Sequence, residues 1–226
     1  MSANEELLED SLSHVAWQTL RNDIISGRLP PQARLRINKL RDSYGIGASP
    51  LREALSRLVS DGFVIAQERR GFSVAPMSLA EFRDLTDLRK LLEKEALVAS
   101  LKQGDDAWEA SVLGAYHRLS KVHKRLLAKE EGAAEEWELL NDEFHETLVS
   151  ACTSAHLLRF RSIIYAYTQR YRRVCLSIHS VKRDANEEHK QLCDAALKRD
   201  TKRLCAIMDR HLEATYVKVA ESGKLD

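Results

Sequence analysis

From Leu79 to the end of the chain, nothing reads as β-strand. Apolar positions recur at helical spacing, and the runs are separated only by short breaks. The spacing predicts helices at roughly 79–103, 106–130, 133–152, 155–179, 185–199 and 201–221. The breaks fall at Gln103-Gly104-Asp105, at Gly132, around Thr153-Ser154, near Ser180–Asp184 and at Asp200-Thr201. Only 4 prolines and 9 glycines occur in 226 residues, and 31% of the residues are charged, a composition suited to long helices with few breakers. Helices of this length joined by short turns pack as an antiparallel bundle.

The first third has a different rhythm. Val15, Ala16, Leu20, Ile24 and Ile25 give a helix over 12–26, which Gly27 and the following Leu29-Pro30-Pro31 bring to an end. A short helix runs from about Ile37 to Tyr44, and Gly45-Ile46-Gly47 make a tight turn. Ser49 suits an N-cap and Pro50 a first helical position, so the next helix is expected to open there and carry Leu51, Leu55, Leu58 and Val59 inward. Two β segments follow, Phe63–Gln67 and Phe72–Ala75, joined by a tip holding Arg69, Arg70 and Gly71. Helix, helix, turn, helix and a two-stranded wing is the order of a winged helix-turn-helix. The expected architecture is therefore mainly α: a winged helix-turn-helix domain over 10–76 and an all-helical domain over 78–222.

Charge separates the two parts as well. The whole chain carries a formal net charge of +1, yet residues 21–76 hold 10 basic side chains against 5 acidic ones. A basic module on a neutral chain is the electrostatic footprint of a nucleic-acid reader attached to something else. No apolar run of about 18 residues is present, and the opening MSANEELLEDSLS is acidic with no signal-peptide core, so a cytoplasmic protein without membrane contact is expected. Cys152, Cys175, Cys193 and Cys205 show no CxxC spacing and read as small buried hydrophobes in a reducing compartment.

The stretch DIISGRLPPQARLRINKLRDSYGIGASPLREALSRLVSDGFVIAQERRGFSV resembles the DNA-binding signature of the GntR family. Downstream, DLRKLLEKEA, LNDEFHETLVSAC and EEHKQLCDAALKRDTKRLCAIMDRHL resemble, in order and spacing, the all-α FCD sensor domain of that family's FadR-type branch. The likeness spans about residues 15–215, and PLREALSRLV and DDAWEASVLGAYHRLSK are further similar to the CsiR-like, glutarate-sensing subgroup. The resemblance implies a homodimeric transcription regulator, more commonly a repressor, that binds double-stranded operator DNA under the control of a small carboxylate.

In such a motif the helix opening at Ser49 enters the major groove. Arg52 stands where the family places an Arg that contacts bases, and a guanidinium there can pair bidentately with guanine. Ser49 and Ser56 lie near the same face, and Ala48 stands where the family often has a second Arg, which implies a different operator sequence. Arg36, Lys39 and Arg57 suit phosphates, whereas Arg69 and Arg70 with Gly71 suit the minor groove. A solvated face is the alternative for Arg36, Lys39 and Arg57, and a pair with a neighbouring Glu is the alternative for Arg52.

His145, His189 and His211 fall on three predicted helices, with Asn141 one turn before His145 on the same face. Three imidazoles and an oxygen donor inside a bundle suit Zn²⁺, Ni²⁺ or Mn²⁺ with coordination positions left over. In metal-binding members of the branch the oxygen donor at position 141 is Asp, and the open positions accept the effector's carboxylate. Asn141 removes that negative charge, and Asp142 is offset by about 100° around the helix. Arg89, in an Arg-x-x-x-Glu pattern with Glu93, matches the Arg that holds the effector in the family. A surface pair with Glu93 is the alternative. Arg170 and Tyr171 are second candidates for the far end of a dicarboxylate of glutarate size. His14, His117, His123, His156 and His179 read as surface or packing residues. A metal hydrolase lacks both HExxH and paired carboxylates here, so no enzyme is expected. The remaining alternative is a metal-independent dimeric DNA binder that senses no small molecule.

Overall fold

A computed structural model describes residues 3–67, 71–176, 185–223 and 225. The chain divides into two compact units, one made of Met1–Ser78 with Gln169–Arg173, the other of Leu79–Thr168 with Val174–Asp226.

The first unit has the order α1(Ala3–Ile25), β1(Arg34–Leu35), α2(Ile37–Tyr44), α3(Ala48–Ser60), β2(Val64–Gln67) and β3(Gly71–Val74). The strands form an antiparallel sheet in the order β1-β3-β2, with Leu35 opposite Phe72 and Val64 opposite Val74. The sheet therefore has one strand more than the sequence suggests: Arg34–Leu35 is only 2 residues long, too short to show any alternation. The N-terminal helix also begins earlier than its apolar pattern, at Ala3, because Ala, Glu and Leu before residue 12 are strong helix formers. Leu20 and Ile24 of α1 are buried in the same core as Leu51, Leu55 and Leu58 of α3. Polar ties support the packing. The Trp17 indole donates to Asp61 at 2.6 Å, and the Tyr44 hydroxyl donates to Asp23. Burial and the Asp23 carboxylate push the Tyr44 phenol up to about 12.

The second unit contains α4(Leu79–Gln103), α5(Asp106–Leu127), α6(Ala133–Val149), most of α7(Ala155–Leu176), α8(Ala185–Leu197) and α9(Thr201–Ala220). All six begin where helical periodicity puts them, α5, α6, α8 and α9 end up to a few residues earlier, and the expected end of α7 at 179 lies outside the described residues. The α4–α5 turn is closed by Asp105, which accepts from the Trp108 backbone N–H at 2.9 Å. Gly104 sits so close beneath the Trp108 ring that a Cβ there would lie 2.6 Å from it. The core runs through Leu97, Val112, Leu119, Phe144, Leu192 and Leu204, all fully buried. Glu213 of α9 accepts from Arg83 and Lys90 of α4 at 2.7–2.8 Å, and these cations hold its carboxyl down at about 2. That clamp fixes the helix that carries His211. No helix among the described residues is long and apolar enough to cross a membrane.

Candidate functional sites

The first site is the outer face of α3. Gly45 ends α2 at φ +67°, in the left-handed region that a side chain would strain, and the chain turns directly into α3. That helix starts one residue before Ser49, with Gly47 in the capping position and no side-chain cap. Ser49 is therefore inside the first turn rather than at its cap, and Pro50 sits third, where its missing N–H has no intrahelical partner to lose. Leu51, Ala54, Leu55 and Leu58 face the core, while Ser49, Arg52, Ser56 and Arg57 face outward. Arg52 makes no ion pair among the described residues, so the expected alternative of a pair with a neighbouring Glu is not found. Arg57 is also exposed, but its guanidinium lies over the Trp17 ring, 3.9 Å from the centroid, which fixes its direction through α1. Arg36 and Lys39 are exposed at the start of α2. Gly71 opens β3 at φ +82° opposite Gln67. Arg69 and Arg70 lie outside the described residues.

The second site is in the helical unit. His145 of α6, His189 of α8 and His211 of α9 are all buried, and one ring nitrogen from each lies within 4.8 Å of the others. The ring centroids are 5.0–5.5 Å apart. Metal–nitrogen bonds of about 2.1 Å place two ligand nitrogens roughly 3–3.5 Å apart, within reach of small side-chain rotations from this arrangement. Glu188 Oε2 lies 2.7 Å from His211 Nδ1, a contact that makes Nε2, rather than Nδ1, the candidate ligand atom of that ring. The donor set thus fits a divalent transition metal. Asn141 is buried one turn from His145, and its Nδ2 has no hydrogen-bond partner among the described residues. Asp142 is engaged with α7, where its Oδ1 accepts from the Tyr165 hydroxyl at 2.6 Å.

Arg89 is 7% exposed, so its pair with Glu93 is no surface pair. Its Nε donates to Glu93 at 3.2 Å, its Nη1 donates to the Thr168 hydroxyl at 3.0 Å, and its guanidinium lies over the Tyr165 ring at 4.4 Å. Glu93 also accepts from Arg161 at 2.9 Å, and Arg161 donates to Glu146 at 2.7 Å and to the His145 carbonyl at 3.2 Å. Burial alone would push the Glu93 carboxyl up, but the charges of Arg161 and Arg89 outweigh it and hold the group below its ordinary range. Arg161, itself 1% exposed, is held charged by Glu93 and Glu146 against the same burial.

Arg161, Tyr165, Thr168 and Glu188 are site residues that the sequence pattern alone does not single out. The first three share one face of α7 at i, i+4 and i+7, which is the one local signal that marks them. Arg170 and Tyr171, expected at the far end of the effector, are engaged elsewhere. Arg170 donates to the Ala75 carbonyl at 2.7 Å, and the Tyr171 hydroxyl lies 3.4 Å from the Ser78 N–H.

A winged helix-turn-helix followed by a helical unit with three buried, converging histidines is the arrangement of a DNA-binding regulator with a second, helical domain. Residues 12–74 match the family model "Bacterial regulatory proteins, gntR family", and residues 84–214 match the FCD domain. The chain belongs to the GntR family of bacterial regulatory proteins and is a DNA-binding transcription regulator, not an enzyme. It is 42% identical over 215 residues to the uncharacterized HTH-type transcriptional regulator BphR of Paraburkholderia xenovorans (strain LB400), spanning 95% of this chain and 88% of that protein. It is 37% identical over 207 residues to the HTH-type transcriptional repressor GlaR of Escherichia coli (strain K12), spanning 89% and 92% of the two chains. Among solved structures, E. coli McbR/YncC shares the fold with a TM-score of 0.79 at 18% identity, covering 93% of this chain and 98% of that one.

Proposed function

We propose that this regulator is a cytoplasmic repressor that binds a short inverted-repeat operator as a homodimer, and that a small carboxylate bound beside a divalent transition metal releases it. The observation that carries the reading is the convergence of His145, His189 and His211 from three helices into one buried cluster. The metal, Zn²⁺, Ni²⁺ or Mn²⁺, would be held by the three imidazoles with Asn141 Oδ1 as a weak fourth donor, and would offer open positions to an oxygen ligand.

Tyr165 connects this cluster to Arg89. Its ring centroid is 6.4 Å from that of His145, and the Arg89 guanidinium is 4.4 Å from it, so the guanidinium lies within about 11 Å of the His145 ring. A dicarboxylate of glutarate size, about 5 Å between its carboxyl carbons with C–C bonds of ~1.5 Å, can reach from one anchor to the other once the bonds at its two ends are added. Glu93 and Thr168 engage only part of the Arg89 donor fork, which leaves N–H groups for that carboxylate.

Recognition of DNA falls to the outward side chains of α3, with Arg52 reading guanine and Ser49 and Ser56 beside it. Arg36, Lys39, Arg57, Arg69, Arg70 and Gly71 serve the backbone and the minor groove. One recognition helix reads few base pairs, and a two-fold dimer doubles the number. Elemental analysis after metal supplementation tests the reading, together with a thermal-shift screen of small mono- and dicarboxylates. The expected result is one equivalent of metal per chain, with a melting temperature that falls on chelation and rises with the effector. Metal below about a tenth of an equivalent would remove the centre and favour the metal-independent alternative.

A further inference from the structure

We infer that Asn141 and Trp137 form an uncharged pair of donors that receives a carboxylate oxygen of the effector at the histidine cluster. The inference rests on the carboxylate-sensor reading and deepens it by assigning the groups that recognise the metal-proximal carboxylate.

Trp137 and Asn141 are one turn apart on α6, and His145 follows one turn later, so the three project from one side of the helix. The Trp137 ring is also in contact with the cluster, with its centroid 6.2 Å from that of His189. Trp137 is 6% exposed and Asn141 2% exposed. The Trp137 Nε1 and the Asn141 Nδ2 are both buried, and neither has a hydrogen-bond partner among the described residues. Buried N–H groups are almost always paired, because an unpaired one forfeits its hydration without compensation. Two of them, one turn apart on the helix face that carries His145, point to an acceptor that arrives with the ligand.

The chemistry of position 141 supports the same conclusion. An Asp there would be acceptor-only, so it would ligate a metal more strongly but offer an incoming carboxylate no N–H donor. An Asn can turn Oδ1 toward the metal and still offer two N–H donors from Nδ2. The indole N–H adds a third donor, and neither donor group carries a negative charge of its own. Asn141 thus exchanges metal affinity for recognition of the effector's oxygen.

The test uses the full-length wild type, Asn141→Asp and Trp137→Phe, each titrated calorimetrically with Zn²⁺ alone and then with glutarate in the presence of Zn²⁺. Asn141→Asp should bind Zn²⁺ more tightly and glutarate about tenfold or more weakly, the two constants moving in opposite directions. Trp137→Phe keeps an aromatic ring but removes the donor, so Zn²⁺ binding should be unchanged while glutarate binding weakens about tenfold. Thermal melts without ligand confirm that each variant is folded. If both variants bind glutarate as tightly as the wild type, the donor pair is overturned, while metal and glutarate binding by the wild type leave the sensor reading intact. A wild type that binds neither Zn²⁺ nor glutarate overturns both.

Discussion

Glu188 on α8 and His211 on α9 meet at 2.7 Å, carboxylate oxygen to Nδ1, immediately beside the cluster that His211 completes. A carboxylate accepting from Nδ1–H fixes the tautomer and ring direction of the imidazole, and it raises the basicity of Nε2.

Glu188→Ala should therefore weaken metal binding about 10- to 100-fold. Without metal its melting temperature should stay close to that of the wild type, since Glu188 is partly exposed. Competition titration with a chromophoric chelator measures the first quantity and calorimetric melts the second. Unchanged metal affinity would make the contact a surface pair.

The buried pair of Glu93 and Arg161 predicts a stability effect. Glu93→Gln leaves Arg161 and Arg89 with a buried charge less well compensated, and should cost about 3–5 kcal/mol in chemical denaturation. The pH dependence follows from the sign of the Glu93 shift. Its folded-state pKa lies below the ordinary value of 4.5, so its contribution is fully present above that pH. The contribution is lost as pH falls through the lower folded value. Wild type should thus lose stability more steeply below about pH 4.5 than Glu93→Gln does. Parallel acid profiles would contradict the assignment.

Much of this organisation is legible in the sequence, and what is not has identifiable causes. Helices α4 through α9 are marked by amphipathic repeats and turn residues, which are local signals. The histidine cluster is legible through the resemblance to the family's sensor domain, since His117, His123 and His156 are equally helical and local context alone does not separate the trio from them. Strand β1 leaves no local trace, since it exists only through pairing of Arg34 with Ser73 and Leu35 with Phe72. The network from Arg89 through Glu93 to Arg161 joins residues 68 positions apart, and no periodicity encodes such a pairing. Glu188 has the sequence context of any helix-surface acid, and its role emerges only when α9 packs against α8.

For DNA recognition, Arg52→Ala should cost on the order of 1–3 kcal/mol of specific operator binding and relax preference at one base position. Quantitative footprinting at fixed salt is the measurement. Protection of the same site at the same protein concentration would show that α3 presents another side chain to the bases.

The thiols should be slow to react. Burial pushes Cys193 up to about 11, and Cys205 is raised for the same reason, so neither supplies much thiolate at neutral pH. Alkylation of native protein at pH 7.5 should label both far more slowly than in denaturant. Rapid labelling of either would point to a redox role instead.

Operator and effector should compete through the protein, and this competition is the heart of the proposed regulation. A ligand shifts operator affinity only by its differential affinity for the two states, and the coupling is reciprocal, typically about 1–3 kcal/mol or a 5- to 150-fold change. Calorimetric titration of the metal-loaded protein with glutarate, with and without a saturating operator duplex, measures it directly. The duplex should weaken glutarate binding by the same factor by which glutarate weakens operator binding. Equal glutarate affinities in the two titrations would contradict it.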